Sequence, residues 1–246
     1  MRLTRRKTMI LPLAAGLAGG WTSPAPDVVL YVLPDVRGVG DALARRFGAR
    51  QGVPVHVFAA PPLGLIGLIR HRARDDVVVA DAPTVEALAT AGLVLPASVT
   101  TLGTDPYVLI GPRGMADAPL AEVLARRRVV VTDPTSAASF DGQAVLAAIA
   151  GKARLAAAPI GVATGPELLD AVARGPDLVG LARASAVFGT RLVRVVAAIP
   201  ATLAPPVAMA GGLTKNGQSD KAATFLHFAA SDGLRVLRQA GMEMAA

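Results

Sequence analysis

The sequence contains no cysteine, which rules out a disulfide scaffold, a zinc–thiolate centre and a thiol nucleophile together. Aromatic residues make up only 4% of the 246 positions. The formal charge of +7 is also smaller than it looks. Four of the 25 basic residues and none of the 18 acidic ones lie in the first 25 positions, so the remaining chain carries about +3. A surface so mildly basic and so poor in aromatics gives no case for a nucleic-acid partner, and none is expected. No apolar run reaches the roughly 20 residues of a membrane-spanning helix. The sequence also lacks a Gly-x-Ser-x-Gly elbow, a His-Glu-x-x-His pair and a Walker loop. His56, His71 and His227 have no metal-ligand spacing, and the bare G-x-G of Gly38 and Gly40 lacks its third glycine. Neither a metal nor a cofactor is therefore expected, nor an enzyme. Carboxylates act without motifs, however, so an acid/base pair such as Asp35 with Asp81 stays open as an enzymatic alternative.

What is present is ample apolar material, at 52% of the chain against 17% charged, enough to bury a sizeable core. The opening "MRLTRRKTMILPLAAGLAGGWTSPAPD" sets Arg2, Arg5, Arg6 and Lys7 before about a dozen apolar residues and then small residues around Ser23 and Ala25. That is the layout of an export signal over residues 1–25, which predicts a periplasmic protein. The Arg5–Arg6 pair resembles a twin-arginine signal, and a Sec signal fits as well.

After the leader, short β-branched runs alternate with helical stretches, which predicts an α/β fold with largely parallel strands. Strands are expected at 28–33, 53–58, 77–80, 107–111, 129–132, 178–182, 192–197 and 206–209. Val36, Val39, Leu43 and Phe47 recur at helical spacing, so the helix after the first strand packs inward on that stripe and ends near Phe47. "TGPELLDAVARG" carries a capping box, with Thr164 as cap, Glu167 three positions on and Gly175 at the end. Asp35 stands where the first strand turns into its helix. A free helix N-terminus is a natural seat for an anion, so Asp35 reads either as a helix cap or as a ligand contact.

Five segments taken in order resemble the molybdate-binding proteins of ABC transporters, members of the type II periplasmic binding protein fold. They are the strand, turn and helix ending near Phe47 with "GVPV" after it; "RARDDVVVADAPTVEALATAGLV" at 72–94, with Asp76 before the strand; "VVVTDPTSAASFDGQAVLAAI" at 129–149; "PPVAM" at 205–209; and "AATFLHFAASDGLRVLRQAGM" at 222–242. The resemblance implies two lobes, one from 26–104 with 206–246 and the other from 105–205. A small-molecule or ion ligand would sit between them, and the partner would be an ABC permease in the membrane. The protein is expected to act as a monomer.

That family cradles its oxyanion with serine hydroxyls, backbone N–H groups at helix starts and a tyrosine hydroxyl. Carried over by resemblance, the first serine falls on Asp35 and the second serine-bearing turn on Pro61 and Pro62. The third segment falls on Ala138 and Ser139, the fourth on Thr164 and Gly165, and the tyrosine on Arg183. A carboxylate, two prolines and an arginine thus replace neutral donors, and tight molybdate binding is not expected. A ligand with a cationic or hydroxyl group toward Asp35 and an anion toward Arg183 is expected instead, since arginine offers a planar fork. A third role for Asp35 is to pair with Arg183 across the cleft that the resemblance implies, and Thr164 with Glu167 also reads simply as a capping box.

Overall fold

The computed structural model describes residues 28–71, 76–133, 142–151, 154–217 and 219–244. The chain runs β1 (Val28–Val32), α1 (Arg37–Gln51), β2 (Val55–Ala59), α2 (Pro62–His71), β3 (Val77–Asp81), α3 (Ala82–Thr90), β4 (Thr100–Asp105) and β5 (Tyr107–Pro112). It continues through α4 (Leu120–Arg126), β6 (Arg128–Thr132), α5 (Gly142–Ala150), β7 (Ile160–Val162), α6 (Gly165–Arg174), β8 (Leu178–Arg183) and α7 (Ala184–Val187). It closes with β9 (Val193–Ala198), β10 (Val207–Leu213), α8 (Asp220–Ala229) and α9 (Leu234–Gln239).

Two five-stranded sheets result, in the orders β2-β1-β3-β10-β4 and β7-β6-β8-β5-β9. Each anchors one lobe. The chain passes from the first to the second at Pro106, between β4 and β5, and returns through residues 199–206. The expectation of largely parallel strands is corrected in part. β1 lies parallel to β2 and β3, and β6 parallel to β7 and β8, whereas β10 is antiparallel to both its neighbours and so is β5. β5 opens the second sheet and β10 re-enters the first from the other lobe, so neither is delivered by the crossover that parallel pairing requires.

β1 and β3 are buried along their whole length, and accordingly read as unbroken apolar runs. α1 buries Val39, Leu43 and Phe47 and continues to Gln51, one turn beyond the predicted end. Phe47 meets Phe225 edge-on at 5.1 Å and Phe228 at 5.4 Å, so the late helix α8 seals the core begun by α1. Asp76, buried just before β3, accepts the Val29 N–H at 2.8 Å and so satisfies the start of β1. β4 and β7 were not predicted as strands. In β4, Gly103 adopts φ 135, and a Cβ there would stand 2.3 Å from the Glu243 carbonyl oxygen; the backbone of Thr104 bonds Glu243 in both directions. Only glycine allows that approach.

Candidate functional site

Asp35 lies in a 3-10 turn, Pro34–Val36, between β1 and α1. The N-cap positions belong to Leu33 and Val36, so Asp35 does not cap the helix after it. Its Oδ2 instead accepts a hydrogen bond at 2.9 Å from Nη2 of Arg183, the last residue of β8, 148 positions away in sequence. The pair joins the two lobes.

Arg183 is fully enclosed, with a side-chain exposure of 0%. Besides Asp35, its Nη1 lies 3.9 Å from Asp81 Oδ2 and 4.0 Å from Met209 Sδ, and its Nε lies 3.8 Å from Asp105 Oδ2. Asp81 serves two masters, since its Oδ1 caps α3 by accepting the Thr84 N–H at 2.9 Å. Asp105 accepts from Ser185 twice, from Oγ at 2.5 Å and from N–H at 3.1 Å. One guanidinium therefore faces three carboxylates at the junction of the lobes.

Burial raises the Asp105 carboxyl above its ordinary value, against the lowering pull of Arg183 and Ser185. Burial likewise raises the Tyr107 phenol. For Arg183 burial acts to lower the value, but Asp35 and Asp105 outweigh it and the guanidinium is held more firmly protonated. Each pair at about 4 Å is worth roughly 4 kcal/mol at an effective dielectric of about 20, which explains how so buried a cation persists.

From the second lobe, α6 points its first residue at this pair. Thr164 Oγ1 accepts the Glu167 N–H at 3.3 Å, and Glu167 Oε2 accepts the Ala163 N–H at 2.9 Å, so the capping box forms one residue outward of the standard pattern. Thr164→Ala is expected to cost about 1 kcal/mol, lowering the thermal midpoint by roughly 2–4 °C, with unchanged contacts at Asp35. A Cβ on Gly165 would stand 3.3 Å from Asp35 Oδ1, so the carboxylate sits against the start of α6.

Two adjoining cavities occupy the interlobe space, of about 80 and 220 Å³. They share Pro34, Asp35, Gly165 and Pro166; Pro61 and Thr164 line the outer one, and Thr132 the inner. The predicted residues Asp35, Pro61, Thr164 and Gly165 are thus brought together, with Arg183 directly behind Asp35. Pro62 opens α2 and lines neither cavity, and Ser139 lies outside the described residues. Asp105 and Thr132 were missed as site residues, and Asp81 was named only as an acid/base partner for Asp35. Nothing local marks Asp105 or Thr132.

The family described as bacterial extracellular solute-binding protein matches residues 28–243. No curated protein matches the sequence. Among solved structures, the fold is shared with the periplasmic molybdate-binding protein of Azotobacter vinelandii, at 18% identity and a TM-score of 0.73, covering 89% of this chain and 100% of that one. It is shared with the substrate binding domain assigned to a molybdenum ABC transporter of Clostridium difficile, at 16% identity, a TM-score of 0.70 and coverage of 89% and 99%. PEB3 with bound L-phospholactate follows at 10% identity, a TM-score of 0.65 and coverage of 89% and 100%.

Proposed function

The chain belongs to the bacterial extracellular solute-binding protein family, and from that premise we propose that it is the periplasmic receptor of an ABC-type importer, exported through residues 1–25 and binding a small polar solute other than molybdate between its lobes. Asp35, Pro61, Thr164 and Gly165 form the walls that touch the solute. Arg183 acts from behind, fixing the Asp35 carboxylate rather than offering its fork to an anion, because its guanidinium is enclosed by Asp35, Asp81 and Asp105. A membrane permease takes the solute from the closed receptor, which works as a monomer.

The observation that carries this reading is the Asp35 carboxylate at the wall of both interlobe cavities, pressed against the start of α6. An oxyanion would need neutral donors there. A divalent oxyanion about 4 Å from Asp35 would meet a repulsion of roughly 4 kcal/mol for each of its charges. Closure then follows differential contact: the lobes meet most favourably around the solute that complements both walls.

Thermal unfolding against a panel of oxyanions, carboxylates, amino compounds and metal salts tests the reading. A true solute at about 100 times its dissociation constant adds roughly 2.7 kcal/mol, a rise of several degrees. We expect such a saturable rise for one class and none for molybdate, and we expect Asp35→Ser to gain a molybdate response. A strong molybdate response in the unaltered protein would refute the exclusion.

A further inference from the structure

We propose that the solute is a small amphiphilic monocation, an alkylamine-like molecule whose ammonium group is received by Asp35 and the Thr132 hydroxyl while its hydrocarbon body lies on the apolar wall of the inner cavity. This rests on the solute-binding reading above and names its ligand class.

The first support is charge. Among the described residues, three carboxylates gather around the guanidinium of Arg183, so acidic groups outnumber basic ones at the junction. Among the described residues lining the two cavities, Asp35 is the only charged one. Its Oδ2 holds Arg183, and the same carboxylate lines both cavities, where it faces a bound solute.

Thr132 supplies independent support. It ends β6, is 2% exposed and lines the inner cavity, and its Oγ1 makes no hydrogen bond. A buried hydroxyl without a partner is costly, and a protein keeps one where something else completes it. A hydroxyl accepts from an ammonium group as readily as it donates. Of the remaining described lining, Pro34, Leu168, Leu169 and Ala186 offer apolar side chains to the space.

Alternative ligands fit less well. A metal ion of the calcium type requires six or more oxygens, and no group of side chains able to hold a metal occurs among the described residues. A quaternary ammonium is recognised by aromatic faces, and the described residues of neither wall include one. An N–H-bearing cation remains. At about 10–15 Å³ per water-sized sphere, the inner space of about 80 Å³ holds on the order of six non-hydrogen atoms.

The test is calorimetric titration with straight-chain alkylamines from methylamine to hexylamine at pH 7.5, each matched with the alcohol and the carboxylate of equal length. Amine affinity should rise with chain length until the cavity is full, with each alcohol at least tenfold weaker. Asp35→Asn should weaken the best amine at least a hundredfold. Thr132→Val should weaken it about tenfold while leaving the unliganded thermal midpoint unchanged or higher, because the variant removes only an unpartnered hydroxyl. Alcohols binding as well as amines, or Thr132→Val binding amines as tightly as the parent, would overturn the assignment. Binding of carboxylates or phosphate alone would overturn the cation and leave the solute-binding reading standing, whereas silence across these probes and the wider panel would count against both.

Discussion

Replacing Arg183 by methionine is expected to destabilise the protein by about 3–5 kcal/mol, lowering the thermal midpoint by roughly 6–20 °C. The size of the effect comes from what stays behind. Methionine fills much of the volume, but Asp35, Asp81 and Asp105 are left around it, all within 4 Å of where the guanidinium stood. The loss also depends on pH. Burial already raises Asp105, and removing Arg183 takes away the largest influence lowering it. Between about pH 4 and its folded value, Asp105 then keeps in the native state a proton that the unfolded chain has released. Stability therefore falls as pH rises through that window, so the deficit should be larger at pH 8 than at pH 5. Adding Asp105→Asn to the variant should recover part of the loss, a coupling that a double-mutant cycle measures directly. A cost below 1 kcal/mol at pH 8 would show that the carboxylates do not depend on this cation.

The sequence made periodic and local features legible and left long-range pairings hidden. The stripe Val36, Val39, Leu43 and Phe47 needed only helical spacing, and the Thr164 box only a three-residue interval. Both are present in the structure. β4 escaped because "TTLGTD" has little apolar content, and its bonding to Glu243 depends on a glycine conformation that no pattern reveals. Asp35 and Arg183 could each be singled out by resemblance as departures from a cradle of neutral donors. Their contact was one of three open roles, since nothing in residues 148 apart fixes a distance of 2.9 Å. Asp81 shows the harder case. The sequence offered it only as an acid/base partner of Asp35, whereas one of its oxygens caps α3 and the other faces Arg183. Side chains with two acceptor atoms can serve a helix and a site at once, and no local pattern reveals both partners.

Gly38→Ala is expected to separate the lobes and reduce solute affinity by a factor of roughly 5–150. Gly38 is the second residue of α1, and a Cβ there would stand 2.4 Å from the carbonyl oxygen of Phe188, which directly follows α7. That contact joins the lobes. α7 belongs to the second, yet it packs on α1 and its preceding turn, and Phe188 rests against the core of the first. The obstructing atom is backbone, so no side-chain rotation relieves it, and overpacking of this kind costs about 1–3 kcal/mol. Within the helix alone alanine is the better residue by up to about 1 kcal/mol, so the first lobe itself should not be weakened. Small-angle scattering should then report a larger radius of gyration while the thermal midpoint changes little. The affinity loss follows because solute binds the closed arrangement, and a free-energy penalty on closure appears directly in the apparent dissociation constant. Gly67→Ala, in α2 with open space around the added methyl, is the matched control and should leave affinity unchanged. If Gly38→Ala binds solute as the parent does, closure does not run through the α1–Phe188 contact, and the Asp35–Arg183 pair must hold the lobes without it.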